Sequence, residues 1–426
     1  VKRKHLEIAE KAFVIVGLTF FTGGFEAGAT ETTPALLSPT IVSTVRYTVW
    51  ILSLVIVVFN YKKALTTASQ DIFIWILTPI VYASSIWSLD PEYTEKFMVE
   101  VLQMTSFGLY FATRFTIKQQ VRLVAWTFAI GAVVSIFVVW RYPGAGLHWH
   151  DHPGSWKGIY DYKNTFGSMM VIGSIALFLV PVDNLKHQRY KWGFFCLSLL
   201  MIYFSTSKTS LIVAFLVFVI LYFYRKFRWQ GKRSIVLIDL GILIIGAISA
   251  LVLTLWIEIL SAFGKDPTLT GRLPMWGRIF DRLMEQPLFG FGRGAFWAEE
   301  SNYAIEAGMA VTERYLPPHA HNGYIDLALD VGLVGLSLFL ISLTITYFRS
   351  LKLAYNSQNT ENIWPLAFLL FLSLNNMSES YLLRLANVYW VLYMTTALSV
   401  GKEIKNHTFQ QKLSDKKENY ILSTFK

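Results

Sequence analysis

The residues best suited to chemistry gather in one polar stretch of an otherwise apolar chain. Between positions 270 and 330, arginines, glycines and two histidines follow one another, with Pro317-Pro318 ahead of His319 and His321. His321 stands just before a predicted helix in which Asn322, Asp326 and Asp330, spaced by four, share one face. The partial positive charge at a helix start favours a neutral imidazole, able to take a proton, and any bound anion. A capping histidine is the alternative reading. Arg272 lies at the head of the stretch and Arg278 and Arg293 follow it. Lys208 sits in the turn Ser205-Thr206-Ser207-Lys208-Thr209-Ser210, whose ammonium and hydroxyls suit an anion, although helix caps alone would account for the hydroxyls.

Two further motifs admit chemistry. His148, His150 and His152, with Asp151, could hold a metal through imidazole and carboxylate, or contact sugar from a Gly- and Pro-rich loop. Gly290, Gly292 and Gly294 could approach a phosphate closely. No flanking strand and helix support that reading, so a tight turn is expected. Cys196 is the single cysteine, which leaves no intramolecular disulfide and no thiolate cluster.

These residues need a frame, and the composition supplies one. Of 426 residues, 54% are hydrophobic and 16% aromatic. The apolar residues come in runs of ~20, the length of a helix that crosses the hydrocarbon core. The sequence predicts an all-α, polytopic membrane bundle of about twelve transmembrane helices. The first run lacks a small-residue cleavage site and further spans follow it, so it reads as a span rather than a cleaved leader. The formal charge of +10 lies in short clusters between spans, the pattern that sets topology rather than one that binds nucleic acid. Loops carrying Lys62, Lys63, Arg114, Lys118, Lys186, Arg189, Lys191 and Arg349 are expected inside, as are both termini. The intervening loops face outward, the longest of them ending at His321.

The chain then divides into an N-terminal bundle of about nine spans (1–260), an extracytoplasmic loop (261–321), about three C-terminal spans (322–402) and a cytoplasmic tail (403–426), one membrane domain in all. The loop carries an amphipathic helix. Leu273, Trp276, Phe280, Leu283 and Met284 form its apolar stripe, Arg272, Arg278, Asp281, Arg282 and Glu285 its polar face, and Pro287 ends it. Glu26, Arg46, Glu100, Lys208, Asp326, Glu379 and Arg384 all fall toward outer span ends, with Asp239 near an inner one, which points to an outward polar cavity. A transporter would more often carry its charges at the midplane on broken, repeated helices, and neither is evident.

Six pieces in order carry a family resemblance: Trp87-Ser88-Leu89-Asp90-Pro91, Gly158 to Asn164, the turn at Lys208, Thr270-Gly271-Arg272 with Trp276, Pro287 to Gly292, and His321-Asn322-Gly323-Tyr324-Ile325-Asp326 followed by Gly332 and Gly335. The set resembles the O-antigen ligase and polysaccharide polymerase superfamily of bacterial envelope glycosyltransferases. The resemblance implies a GT-C-like bundle in the inner membrane with its active site facing the periplasm. It implies transfer of a glycan from an undecaprenyl pyrophosphate carrier to an acceptor, lipid A core or another glycan, without nucleotide, metal or other cofactor. A polymerase of the same superfamily is the alternative to a ligase, and a non-enzymatic polysaccharide or lipid transporter is the second. By the same resemblance the catalytic histidine falls on His321, the loop arginine on Arg272, and the second cation on Lys208, where the family usually has arginine. Arg278, Arg293, His319, Asn322, Lys163 and Asn164 are the expected substrate contacts.

Overall fold

The computed structural model describes residues 2–25, 35–182, 184–227, 271–357, 359–383 and 387–405. Glu26, Asp239, Arg384, the last part of the predicted N-terminal bundle (228–260), the first part of the predicted loop and most of the predicted tail lie outside the described residues. The structure is helical. Among the described residues the only β feature is an isolated bridge between Leu147 and Trp156.

A helix lies on each predicted apolar segment that falls within the described residues. In order these are α1 (Lys2–Phe21), α2 (Pro39–Phe59), α3 (Tyr61–Ala68), α4 (Ile72–Ala83), α5 (Pro91–Arg114), α6 (Ile117–Arg141), the short α7 (Pro143–Gly146), α8 (Lys163–Leu179), α9 (Leu185–Phe204) and α10 (Lys208–Phe227). After the undescribed part come α11 (Arg272–Leu283), α12 (Asn302–Met309), α13 (Gly323–Tyr355), α14 (Trp364–Asn375) and α15 (388–405). Their starts follow local chemistry. Asp71, Asp90 and Asn322 cap α4, α5 and α13 by accepting amide hydrogens of the first turn, and Thr116 with Gln119 forms a capping box on α6.

Three helices, α2, α6 and α13, are long and apolar enough to cross a membrane alone, and α3 with α4 and its 3-10 extension passes only as a pair bent by 97°. The remaining helices do not meet that test singly. Several bury polar groups inside the bundle, such as Gln103 and Thr105 of α5 or Ser168 and Ser174 of α8, which lowers their apolar content. The central post is α15: positions 387–401 are buried throughout, with Tyr389, Trp390 and Tyr393 among the largest enclosed side chains. Helices close on one another through small residues, as expected where no water drives them together. A Cβ at Gly108 of α5 would meet Met394 of α15 at 2.7 Å, and one at Gly167 of α8 would meet Ser210 of α10 at 2.5 Å.

α13 is broken, which the sequence reading did not foresee. Val331 (φ −136°, ψ 18°) and Gly332 (φ 67°, ψ −173°) leave helical geometry, and the Pro287 to Gly292 segment fills the gap. Amides of Phe291 and Gly292 donate to the freed carbonyls of Leu329 and Asp330 at 2.7 and 3.1 Å. Amides of Leu333 and Val334 donate to Pro287 and Leu288 carbonyls at 2.7 and 3.2 Å. Four backbone groups at the kink are met by the loop, which is how a break is tolerated inside a bundle. Gly290 and Gly332 are required: both have positive φ, and an added Cβ would sit 2.4 Å from the Leu329 carbonyl or 2.1 Å from that of Leu288. The glycine run is therefore a plug for a broken helix.

Candidate active site

The site is assembled on the segment that follows α14, residues 376–383. Arg272, the first residue of α11, donates from Nη1 to the Ser378 carbonyl at 3.0 Å. Asn164, in the first turn of α8, donates from Nδ2 to Glu379 Oε1 at 2.8 Å. The Asn322 amide donates to Ser380 Oγ at 3.1 Å, and the Gly323 amide to the carbonyls of Asn376 and Glu379 at 2.9 Å each. Three parts of the chain distant in sequence, each carrying predicted site residues, thus hold consecutive residues of one segment.

The histidine turn is fixed from both sides. Trp276, one turn into α11, donates from its indole to the Ala320 carbonyl at 2.8 Å, so α11 sets both Arg272 and the turn. His319 Nδ1 accepts the His321 amide at 3.1 Å, and the two rings lie 4.2 Å apart. His321 itself has φ 52°, the left-handed region that non-glycine residues seldom occupy and that recurs at functional sites. Asn322 spends its Oδ1 on the amides of Tyr324 and Ile325, as a helix cap, and its Nδ2 reaches the Met377 carbonyl at 3.4 Å.

Lys163, next to Asn164, has Lys208 as a charged neighbour. Lys163 begins α8 with no side-chain cap from Tyr162. Its amide donates to His148 Nε2 at 3.0 Å, so an imidazole serves as the cap. Burial and the neighbouring Lys208 charge pull the Lys163 ammonium below the usual lysine range. Lys208 begins α10, is exposed, and follows a turn in which the Ser207 hydroxyl accepts the Ser210 amide at 3.3 Å. Burial, then the charges of Lys157 and His152, bring His148 down to about 4, so it is neutral and an acceptor. His152 shares a hydrogen bond with the Tyr162 hydroxyl at 2.9 Å, while His150 is exposed. The histidine loop is thus tied to the start of α8 and, through Ser155 to Thr206 at 2.6 Å, to the Lys208 turn.

Glu379 is the residue that the sequence reading placed only among outer charges. Its side chain is enclosed, and burial pushes its carboxyl up to about 7 despite the opposing Arg272 guanidinium and the Asn164 hydrogen bond. Burial likewise draws Arg272 below the usual arginine range, with Glu379 and Tyr315 opposing. A signal existed in the sequence, since an acid beside apolar helices is costly unless paired, but its partners Asn164 and Arg272 are far from it in the chain.

Other predicted residues go elsewhere. Arg293 is 2% exposed and fully engaged. Its Nε donates to the Leu383 carbonyl at 3.1 Å, Nη1 to the Phe97 carbonyl, and Nη2 to Glu100 at 3.3 Å. It locks the loop to α5. Arg278 is exposed and lines a separate depression with Pro274, Arg282 and Glu306, because α11 turns it away from Arg272. Asp326 accepts from the Trp297 indole and the Ala320 amide at 2.8 and 3.0 Å, and Asp330 from the Gly294 amide at 2.8 Å. Glu100, Asp326 and Asp330 therefore strut the loop against the bundle, and Asp326 and Asp330 also line, with Arg293 and Trp297, a small pocket of about 40 Å³. α11 has a second apolar face beside the expected stripe. Met275, Ile279 and Leu283 are the buried face, with Trp276 half-buried, while Leu273, Phe280 and Met284 are exposed. The missed face packs on Phe291, Ile325 and Leu329 of the plug and α13, a surface the sequence alone does not show.

Comparison with known proteins bears on what the chain resembles. The O-antigen ligase family profile matches residues 193–340, which include Lys208, Arg272 and His321. The exopolysaccharide production protein ExoQ of Rhizobium meliloti (strain 1021) is 24% identical over 322 residues, covering 72% of this chain and 70% of the relative. The profile stops short of Lys163, Asn164 and Glu379, which the fold brings to the matched residues. On these matches, residues 193–340 resemble the O-antigen ligase family and the chain as a whole is similar to a protein of exopolysaccharide production.

Proposed function

We propose that this protein transfers a glycan from an undecaprenyl pyrophosphate carrier to an acceptor sugar at the extracytoplasmic face of the bacterial inner membrane, in the manner of an O-antigen ligase. The observation that carries the proposal is the convergence of Arg272, Asn164 and the His321–Asn322 turn on Ser378, Glu379 and Ser380. Topology supports the outward setting. The site collects the loops expected outside, whereas the opposite bundle end collects basic segments, with Arg114 of α5 paired to Glu10 of α1 at 2.7 Å.

In this reading the acceptor hydroxyl attacks the anomeric carbon of the donor and His321 takes the hydroxyl proton. A new glycosidic C–O bond forms, the bond to the pyrophosphate oxygen breaks, and the carrier pyrophosphate leaves with its electron pair. Arg272 and Lys208 meet the charge that develops there, where preorganised cations act most strongly. Glu379, held by Asn164, steadies Arg272 from behind. The energy lies in the donor's phosphoester bond, so neither nucleotide nor metal is required.

The second reading is a polymerase that uses another carrier-linked chain as acceptor, favoured by the exopolysaccharide name of the relative. The test is the envelope glycan of a deletion strain complemented with wild type, His321→Ala or Arg272→Ala. Both variants should accumulate in the membrane yet lose transfer, His321→Ala by a factor of roughly 10²–10⁴ for a positioned base. Bare lipid A core beside full-length carrier-linked glycan identifies the ligase, and single repeat units identify the polymerase. Near-normal glycan in either variant at equal expression removes that residue from the mechanism, and activity restored by zinc after EDTA would revive a metal at His148, His150 and His152.

A further inference from the structure

The bundle end opposite Arg272 carries two apolar grooves side by side. One, of about 590 Å³, runs between α6, α8 and α9 along Trp126, Leu177, Val180 and Phe194. The other, of about 450 Å³, runs between α1 and α6 along Ile8, Ile15 and Leu123. Arg122 and Trp126 belong to both, and Trp126, 51% exposed, stands as the ridge between them. The lip is basic. Arg122, Lys186, His187 and Lys191 edge the larger groove, Lys11 and Arg122 the smaller, and none of the described lining residues is acidic. Lys191 is drawn in to the Val180 carbonyl at 2.8 Å, at the end of α8, which places its ammonium at the groove wall.

Two apolar channels that flank one arginine, under a lip of cations, match the shape and charge of a lipid with two acyl chains and one phosphate. We propose that Arg122 and the grooves on either side of Trp126 hold one anionic phospholipid, its phosphate on Arg122 with help from Lys186, and one chain in each groove. The guanidinium grips phosphate through paired donors. A lip lined by cations and by no carboxylate among the described residues selects a net-negative headgroup over a zwitterionic one. The site is independent of the glycan chemistry, because it lies at the far end of α6, α8 and α9 from the Lys163 and Lys208 turn.

The probe is phosphatidylglycerol against phosphatidylcholine of the same chain length, titrated into the purified full-length protein in detergent. Retained lipid is read by native mass spectrometry. Phosphatidylglycerol should be retained at one per chain and preferred by about tenfold, because both lipids offer the same phosphate but the choline ammonium of phosphatidylcholine is repelled by the cations of the lip. The double variant Arg122→Gln, Lys186→Gln should lose the preference. Lys118→Gln, an exposed cation of α6 outside both grooves, should keep it. Equal retention of the two lipids by wild type would overturn the proposal without reliance on any variant. So would an unchanged preference in the double variant, or one-for-one displacement of phosphatidylglycerol by undecaprenyl phosphate, which would make the grooves a carrier site.

Discussion

Arg272 and Arg293 belong to one loop, yet the fold treats them in opposite ways. Arg293 is sealed, with a carboxylate and two carbonyls around its guanidinium. Arg272 is half-buried and, among the described residues, makes one hydrogen bond, to the Ser378 carbonyl. A guanidinium has five donors. Arg293 spends its own on fastening the loop, whereas one hydrogen bond from Arg272, to Ser378, is seen among the described residues. The difference teaches that two arginines of one loop can be spent differently, one on holding the fold and one left with donors to spare.

Substitution separates the two most sharply at Arg293. Arg293→Gln leaves Glu100 and two carbonyls without their partner in an enclosed place, which costs about 3–5 kcal/mol. Reduced accumulation and a lowered melting temperature in detergent are expected. Normal accumulation with lost transfer would make Arg293 a substrate contact and erase the contrast.

Glu379 sharpens the Arg272 side through its pH dependence. Its carboxyl is raised in the folded protein to about 7 from an ordinary 4.5, so the native state holds the proton more tightly than the unfolded chain. That contribution is complete below pH 4.5 and is lost as pH rises through about 7, a change of about 3 kcal/mol. Wild type should therefore lose more melting temperature between pH 5 and pH 8 than Glu379→Gln does. Parallel curves would place the Glu379 proton elsewhere.

The smallest effect is expected at Lys208, which is exposed and can move. Lys208→Gln should slow transfer by roughly ten- to a hundredfold, about 1.5–3 kcal/mol, and Lys208→Arg should match or exceed wild type. The assay is transfer from a purified lipid-linked donor at saturating acceptor. Equal rates for wild type and Lys208→Gln would leave the leaving group to Arg272 alone.

Local chemistry decided what can be read along the chain. Runs of apolar residues, the caps at Asp71, Asp90, Thr116 and Asn322, and the helix after Gly271 each depend on neighbours within a few positions, so the sequence alone determines them. The motif order around Lys208, Arg272 and His321 was likewise visible. The fold decided whatever rests on pairs far apart. Nothing local announces that Pro287 to Gly292 plugs a break in α13, since Gly332 reads like any glycine until Leu288 lies against it. Periodicity predicts that α11 is amphipathic, but it has apolar residues on two faces. Only the packing of Phe291 and Leu329 selects the face of Met275 and Ile279. Arg272 and Arg293 are identical in type and near in sequence. Their roles part because desolvation and hydrogen-bond supply are properties of three-dimensional surroundings, and those come from Phe97, Glu100 and Leu383 for one and from Ser378 and Glu379 for the other.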